Sequence, residues 1–335
     1  MEISRRLLIQ AVSGFACAGS LGIAGQAWAE DFTMKLTATA SNDLDTEWLR
    51  LLKMGVESAS GGKIKADIYP GGQLGTAETV IEGVAMGTVE VTSNASGAYE
   101  GLDPRFAVLS VPGVIVNMKQ GAETLMDPAV RQRLGTIARD KGIEVLMALV
   151  VSPAGIVSRR PIATLADFKG MKIRVPGSAL LIEQLKKLGA SPISMSLNEV
   201  LPAFQNGTID GVYAGTNIFP TLKYYDVAKN MTVLPDTFLV TVGIANSAFM
   251  TSLGPLAATV RDEARKADIP AAAWGETDVT NGQVVWEKNG GRTLTLPPAE
   301  AKQYLDIVVP TALQHLTPEA RADYDVLKAA AVRYM

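Results

Sequence analysis

The sequence predicts an α/β protein built as two lobes. Three observations point there. Short β-branched or alternating runs recur between helical apolar faces, in the manner of strand–helix–strand units. Glycines close most of the helical runs. The units fall into two series, one before and one after Val151, and a chain of 335 residues also gives about two domains at roughly 150 residues each. Repeated units of this kind imply mostly parallel sheets.

In the first series, residues 34–40 alternate apolar and polar side chains, with threonine enrichment, and read as a strand. Asp43 offers an N-cap to a helix whose apolar face is Trp48, Leu49, Leu51, Leu52 and Val56, and Gly61-Gly62 stops it. Residues 63–69 form the next strand, broken by Pro70-Gly71-Gly72. Thr76 caps a second helix that turns Val80, Ile81, Val84 and Met86 inward and ends at Gly87. Residues 89–92 are a third strand. The apolar run 108–116 reads as a strand interrupted at Pro112-Gly113, and 127–141 as a helix stopped by Gly142. Residues 143–151 have the pattern of a fully buried strand.

In the second series, a short helix at 165–169 precedes a strand at 172–175, which ends at Pro176-Gly177. Helix 178–188, strand 191–195, helix 198–206 and strand 209–213 follow, with Gly189 and Gly207 as stops. Residues 256–267 and 271–288 read as two helices, the second long enough to bridge the lobes. Pro297-Pro298 introduces a helix from Ala299, and Thr317-Pro318 introduces the last one.

Composition removes most catalytic chemistry. One Cys and one His leave little room for metal sites, disulfide frameworks, or Cys/His and Ser/His/Asp catalysis. A net charge of −3 shows no basic excess, which argues against nucleic acid as a partner. A hydrophobic content of 47% at so small a net charge argues against disorder.

The first residues look like an address. Ser4-Arg5-Arg6 precedes an uncharged stretch from Leu7 to Ala29 that ends in Ala27-Trp28-Ala29. A basic start, an apolar middle and a small-x-small end describe a secretory signal peptide over residues 1–29, and the paired arginines are similar to a twin-arginine export signal. The competing reading is a retained membrane anchor, but Gly14, Gly19, Gly22 and Gly25 dilute the span. Cys17 lies in this segment, so cleavage after Ala29 leaves 306 of the 335 residues and no cysteine.

Candidate chemistry is sparse. His315 has no second histidine with which to share a metal. Gly71-Gly72-Gln73-Leu74-Gly75 lacks both the Gly-Lys-Ser/Thr ending of a phosphate loop and the spacing of a dinucleotide fingerprint. Glu78 and Glu82 stand one helical turn apart and read as a solvated face, with Glu90 beyond them. Arg174 is different. It sits among apolar residues at the end of a predicted strand, where α/β proteins place ligands. Its planar fork matches a carboxylate, and a structural ion pair is the competing role.

Around Arg174 the sequence resembles a known family. Leu165-Ala166-Asp167-Phe168-Lys169-Gly170-Met171-Lys172-Ile173-Arg174-Val175-Pro176 is followed by Leu188-Gly189-Ala190-Ser191-Pro192, Asn198-Glu199-Val200, Ala203-Phe204-Gln205-Asn206-Gly207 and Ile209-Asp210-Gly211. Their order and spacing are similar to those of the solute-binding proteins of tripartite ATP-independent periplasmic (TRAP) transporters. Gly62-Lys63-Ile64, Tyr69-Pro70, Gln73-Leu74-Gly75 and Val111-Pro112-Gly113 extend the likeness over nearly the whole chain after residue 29.

The resemblance implies a two-lobed periplasmic-binding-protein fold with a shared hinge strand and a long bridging helix. Residues 30–151 with about 240–279 would form lobe I, and 152–239 with about 280–335 lobe II. It implies a periplasmic receptor that catalyses nothing, needs no cofactor or metal, and passes a small organic acid to membrane permease subunits. It places the family's carboxylate-binding arginine at Arg174. A monomer is expected, with a dimer left open. The binding protein of an ABC importer or sensor is the nearest alternative, and an enzyme acting on an organic acid in the cleft is the alternative of another class.

The sequence departs from well-known members in three places. Ala154 stands where sialic-acid-type members carry a second arginine. Val212-Tyr213-Ala214-Gly215 replaces a more polar segment, and Leu197 a frequent aromatic ring. The expected ligand is therefore a monocarboxylate with an apolar or aromatic body. Tyr213, Leu197 and Phe238 are candidates to line it, and Asn94, Ser96 and Thr76 to add hydrogen bonds.

Overall fold

The computed structural model describes residues 32–335. The signal segment and Cys17 lie outside them. The chain runs β1 (Phe32–Ala38), α1 (Leu44–Ala59), β2 (Ile64–Tyr69), α2 (Ala77–Met86), β3 (Val91–Ala95), α3 (Met118–Met126), α4 (Pro128–Leu134) and β4 (Ile143–Ser158). It continues through β5 (Lys172–Val175), α5 (Ala179–Lys187), β6 (Ser191–Ser194), α6 (Leu197–Gln205), β7 (Gly211–Gly215), α7 (Ile218–Thr221) and β8 (Asn230–Asn246). It ends with α8 (Ser247–Ser252), α9 (Leu256–Lys288), β9 (Arg292–Thr295), α10 (Pro298–His315) and α11 (Pro318–Arg333).

The strands join edge to edge in the order β2-β1-β3-β8-β4-β7-β5-β6, with β9 beside β8. The outer strands pair in parallel, as expected. The middle differs from the expected parallel pattern. β4 and β8 have 16 and 17 residues, far longer than the other strands, and pair with each other antiparallel. Two shared strands therefore cross between the halves, where one was expected. β8 pairs with β3 through its last residues and with β9 through its first. β4 pairs with β7 through residues 154–158. The β4–β8 register shifts between Val150 and Ser152 and again between Pro153 and Gly155. Bulges there place Pro153 where a missing N–H is tolerated, and they bend the ribbon midway.

Strand alternation divides the core. Met147 and Leu149 enter a cluster with Trp48, Leu52 and Val260, whereas Ala148 and Val150 enter one with Tyr99, Phe106 and Val130. Beyond the bulges, Ile156 joins Phe168, Ile173 and Val308, and Val157 joins Phe204, Phe219 and Trp286. The period of two thus lays one cluster on each face at each end of the sheet.

Several helices depart from the sequence reading. Met86, expected inward, is exposed at the last residue of α2, where the helix face has turned away from the core. The run at 108–116 is no strand. Residues Pro104–Ser110 form a 3-10 segment that buries Phe106, Val108 and Leu109, and a short apolar run does not distinguish the two. The expected helix at 127–141 ends at Leu134, and α3 before it was not foreseen. The two helices expected on either side of Pro270 are one helix of 33 residues. The loss of one hydrogen bond at proline is offset by packing along its length. Ala264 and Ala271 lie in the cluster under α1, and Trp286 lies in a cluster at the other end of the sheet. The last helix, α11, packs on the first half through Tyr324, Leu327 and Ala330. Asp323 anchors it there by accepting from Arg105 Nε at 2.7 Å and from Arg133.

Two contacts test this packing. A Cβ on Gly243 of β8 would meet the Trp48 ring at 2.9 and 3.0 Å. Gly243→Ala should therefore lower unfolding stability by about 1–3 kcal/mol in urea titration, since the fully buried indole cannot yield freely. Glu100, near the first-half cluster, accepts from Ser178 Oγ at 2.6 Å and from the Leu180 N–H at 3.2 Å at the start of α5. Glu100→Ala removes this cap and should cost about 1–2 kcal/mol in the same measurement.

Candidate functional site

Arg174 lies near the end of β5, flanked by β6 and β7, with Ile193 and Val212 as its register partners. Ile173 and Val175 point into the cluster around Phe168, so alternation turns Arg174 to the opposite side. Both neighbouring segments hold its guanidinium by carbonyls. Nε donates to Met195 O at 2.9 Å and Nη1 to Tyr213 O at 3.3 Å. Only 5% of the residue is exposed. No carboxylate stands within 4.0 Å of it among the described residues, and Nη2 has no protein acceptor there. Burial pulls its pKa down to about 10, against the opposing effect of Tyr224 and Glu78, which leaves it cationic at neutral pH.

Arg174 faces a cleft of about 1010 Å³, counting the part open to solvent. Met195, Leu197, Tyr213 and Ile218 line one wall, and Thr39, Asp43, Asp45, Thr76 and Asn94 the other. Val151 and Leu239 of the two long strands also line it, next to the bulged stretch. At the rim the halves nearly touch. A Cβ on Gly177 would lie 2.6 Å from Glu78 Oε1, and one on Gly97 would lie 2.9 Å from Ser178 Cβ.

The structure brings together five of the seven residues singled out from sequence: Arg174, Asn94, Thr76, Tyr213 and Leu197 all line this cleft. Their polar atoms are not equally free. Asn94 accepts from Thr39 Oγ1 at 3.1 Å and donates to Thr92 Oγ1 at 2.8 Å, so both ends of its amide are engaged. Thr76 Oγ1 accepts from the Thr79 N–H as the cap of α2. Tyr213 buries its ring in the cluster around Phe168 and gives Arg174 its carbonyl.

Two candidates fall outside the lining. Ser96 is buried and shares a 3.3 Å hydrogen bond with Ser110. Phe238 packs against the first-half core, while the next residue, Leu239, faces the cleft. The strand pleat explains that difference, because neighbours in a strand point to opposite faces.

Three acids were missed as cleft residues. Asp43 was read as a helix cap, and it does accept from the Thr46 N–H at 3.0 Å. Glu78 was read as part of a solvated face; it is exposed but borders the cleft. Asp45 gave no signal, being one of several polar residues in the first turn of α1. Ser93 and Thr241 both donate to its Oδ1. Burial, reinforced by the charge of Asp43, lifts its pKa to about 7. No group of three or more His, Cys, Asp or Glu among the described residues is placed to hold a metal ion.

Among the described residues, no helix is long and apolar enough to cross a membrane. Residues 37–303 match the family described as bacterial extracellular solute-binding protein, family 7 (DctP). The uncharacterized protein YiiZ of Salmonella typhimurium is 30% identical over 230 residues, covering 68% of this chain and 70% of that protein. The 2,3-diketo-L-gulonate-binding periplasmic protein YiaO of Escherichia coli is 29% identical over 201 residues, covering 60% of this chain and 62% of YiaO. A TRAP periplasmic solute binding protein from Desulfovibrio salexigens, solved with bound orotic acid, shares the fold with a TM-score of 0.85 at 22% identity, covering 90% of this chain and 99% of that one. The chain belongs to the bacterial extracellular solute-binding proteins of family 7, the DctP-type receptors of TRAP transporters, which bind their substrates and do not transform them.

Proposed function

We propose that this receptor captures a monocarboxylate with a largely apolar body between its two lobes, anchors the carboxylate on Arg174, and delivers the acid to the membrane permease subunits of a TRAP system. One observation carries the reading. Arg174 is a buried cation held by two carbonyls, with no carboxylate within 4.0 Å of it among the described residues, although the charge of Glu78, which lines the same cleft, acts on it. A bidentate carboxylate would supply the missing charge and acceptors. The relatives' names fit, since 2,3-diketo-L-gulonate and orotic acid both carry a carboxyl group. Ala77, Ala95, Ala98, Val151, Ile218 and Leu239 give the cleft an apolar lining. Asp43, Asp45 and Glu78 oppose a second anionic group.

In this reading, residues 30–151 with about 240–279 form lobe I. Residues 152–239 with the segment from about 280 form lobe II, except that α11 belongs with lobe I on its packing. The β4–β8 ribbon and α9 join the lobes, and the bulges beside Val151 and Leu239 are the place to bend. Residues 1–29 direct export to the periplasm and are removed.

Arg174→Ala should weaken binding of a carboxylate ligand at least about thirtyfold, because losing one partner of a buried charged pair costs roughly 2–5 kcal/mol. Arg174→Lys should fall short of wild type as well, since an ammonium cannot reproduce the fork. Calorimetry with acids selected by thermal shift measures both, and circular dichroism checks the fold. Unchanged affinity in either variant refutes the anchor. A screen in which only polyhydroxylated sugar acids raise the melting temperature refutes the apolar body. Intact mass of the exported protein should place its first residue at Glu30; a retained leader refutes cleavage.

A further inference from the structure

Opposite Arg174, the cleft holds a second incomplete group. Asp45 sits in the first turn of α1 and lines the same cavity. Ser93 of β3 and Thr241 of β8 fix its carboxyl by donating to Oδ1, while Oδ2 has no hydrogen-bond partner among the described residues. No Lys, Arg or His nitrogen lies within 4.0 Å of it there. Its acidic neighbours lie on both sides. Asp43 precedes it on the chain, and Asp278 of α9 is near enough to Asp43 for their charges to interact while donation from Asn217 Nδ2 holds it at 3.0 Å. Asp43 Oδ1 is engaged as the cap of α1, and Asp43 Oδ2 and the exposed Glu78 carboxylate also keep open oxygens, but of the three acids lining the cavity only Asp45 is held in orientation by two side-chain hydroxyls. The cleft thus presents a donor-only cation on one wall and an acceptor on the other, with alanine, valine and leucine surface between them.

We infer that Asp45 is a specificity-determining residue of this cleft, and that the ligand carries a hydrogen-bond donor, a hydroxyl or an amine, separated from its carboxylate by an apolar segment. This rests on Arg174 as the carboxylate anchor and narrows the ligand class within it. Such a ligand meets both open groups at once. A plain fatty or aromatic acid leaves the Asp45 acceptor desolvated and unpaired, and a dicarboxylate sets a second anion against three acids. A site built to pair a donor rejects the analogue that lacks it more strongly than an apolar pocket rejects an extra group.

Matched straight-chain acids of four to eight carbons provide the probes: unsubstituted, ω-hydroxy, ω-amino and ω-carboxy. Affinities are measured by calorimetry on the exported full-length protein and on Asp45→Asn. This variant keeps the side-chain shape and the Oδ1 acceptor for Ser93 and Thr241, but places an amide N–H where Oδ2 faced the cavity. At the best-fitting length, the hydroxy or amino acid should bind at least about tenfold more tightly than its unsubstituted parent, and the dicarboxylate no better than the parent. In Asp45→Asn the advantage of the ω-amino acid should vanish, because its ammonium only donates and meets an amide N–H there, and circular dichroism reports an intact fold. Parents that bind through Arg174 with no gain from the added donor overturn the Asp45 inference alone. A gain of the ω-amino acid that survives in Asp45→Asn also overturns it. Absence of binding by every acid in the series, with Arg174→Ala indistinguishable from wild type, overturns the anchor first.

Discussion

The site depends on one constraint: a guanidinium taken out of water with no carboxylate in contact with it among the described residues. Burial of a lone cation is costly, and the fall of the Arg174 pKa toward 10 records it. The protein offsets part of that cost with the carbonyls of Met195 and Tyr213 and leaves the rest open on the cleft side. The parallel triplet β6-β5-β7 makes this possible. A central strand with a neighbour on each side can receive an acceptor from both, at the strand ends where α/β folds collect their ligands. The arginine is thereby set in orientation before any acid arrives, so little side-chain entropy is lost on binding.

The same cleft is assembled from both ends of one continuous sheet. A single open parallel sheet would have put its ligand at one edge. Here the antiparallel β4–β8 ribbon and the helix α9 run through both ends, so the two walls belong to separately packed cores. Each end buries its own clusters on both faces, and the ribbon carries bulges where the walls meet. A change in the angle between walls then needs adjustment at few residues, while the cores stay packed. That is the hinge type of motion, in which a few element positions absorb the change. The glutamate of the first half that caps α5 of the second, Glu100, is a buried tie between the walls and biases them toward one another.

Much of this was legible in the sequence, and the failures have definite causes. The cap residues Asp43 and Thr76 and the glycine stops announced their helices, because capping and left-handed glycine are local chemistry. Arg174 was legible because a charged residue between Ile173 and Val175 contradicts a buried strand. β8 was not foreseen, since Pro235 and Asp236 interrupt it and its pairing with β4 is a long-range event. Phe238 was chosen and Leu239 missed because the choice turns on the phase of a strand, which its partners set. Ser96 and Asn94 are polar residues of the right type whose atoms are consumed inside the protein. Asp45 could not be singled out, because its significance comes from Ser93 and Thr241, distant in sequence, and from the burial they share.

The charge arrangement also bears on how one fold serves many acids. An arginine clamped by two neighbouring strands belongs to the sheet and has little freedom to vary without losing the clamp. The facing wall is built from a loop and the first turns of helices, where Asp45, Thr76 and Glu78 lie outside the hydrophobic clusters, although Thr76 caps α2 and Asp45 accepts from Ser93 and Thr241. In the proposed reading, a change there would alter what is recognised and leave the Arg174 anchor untouched. Selectivity in this chain is therefore expected to reside in the lobe that does not carry the arginine. Its acidic character marks the part of the ligand furthest from the carboxylate as the part that is read.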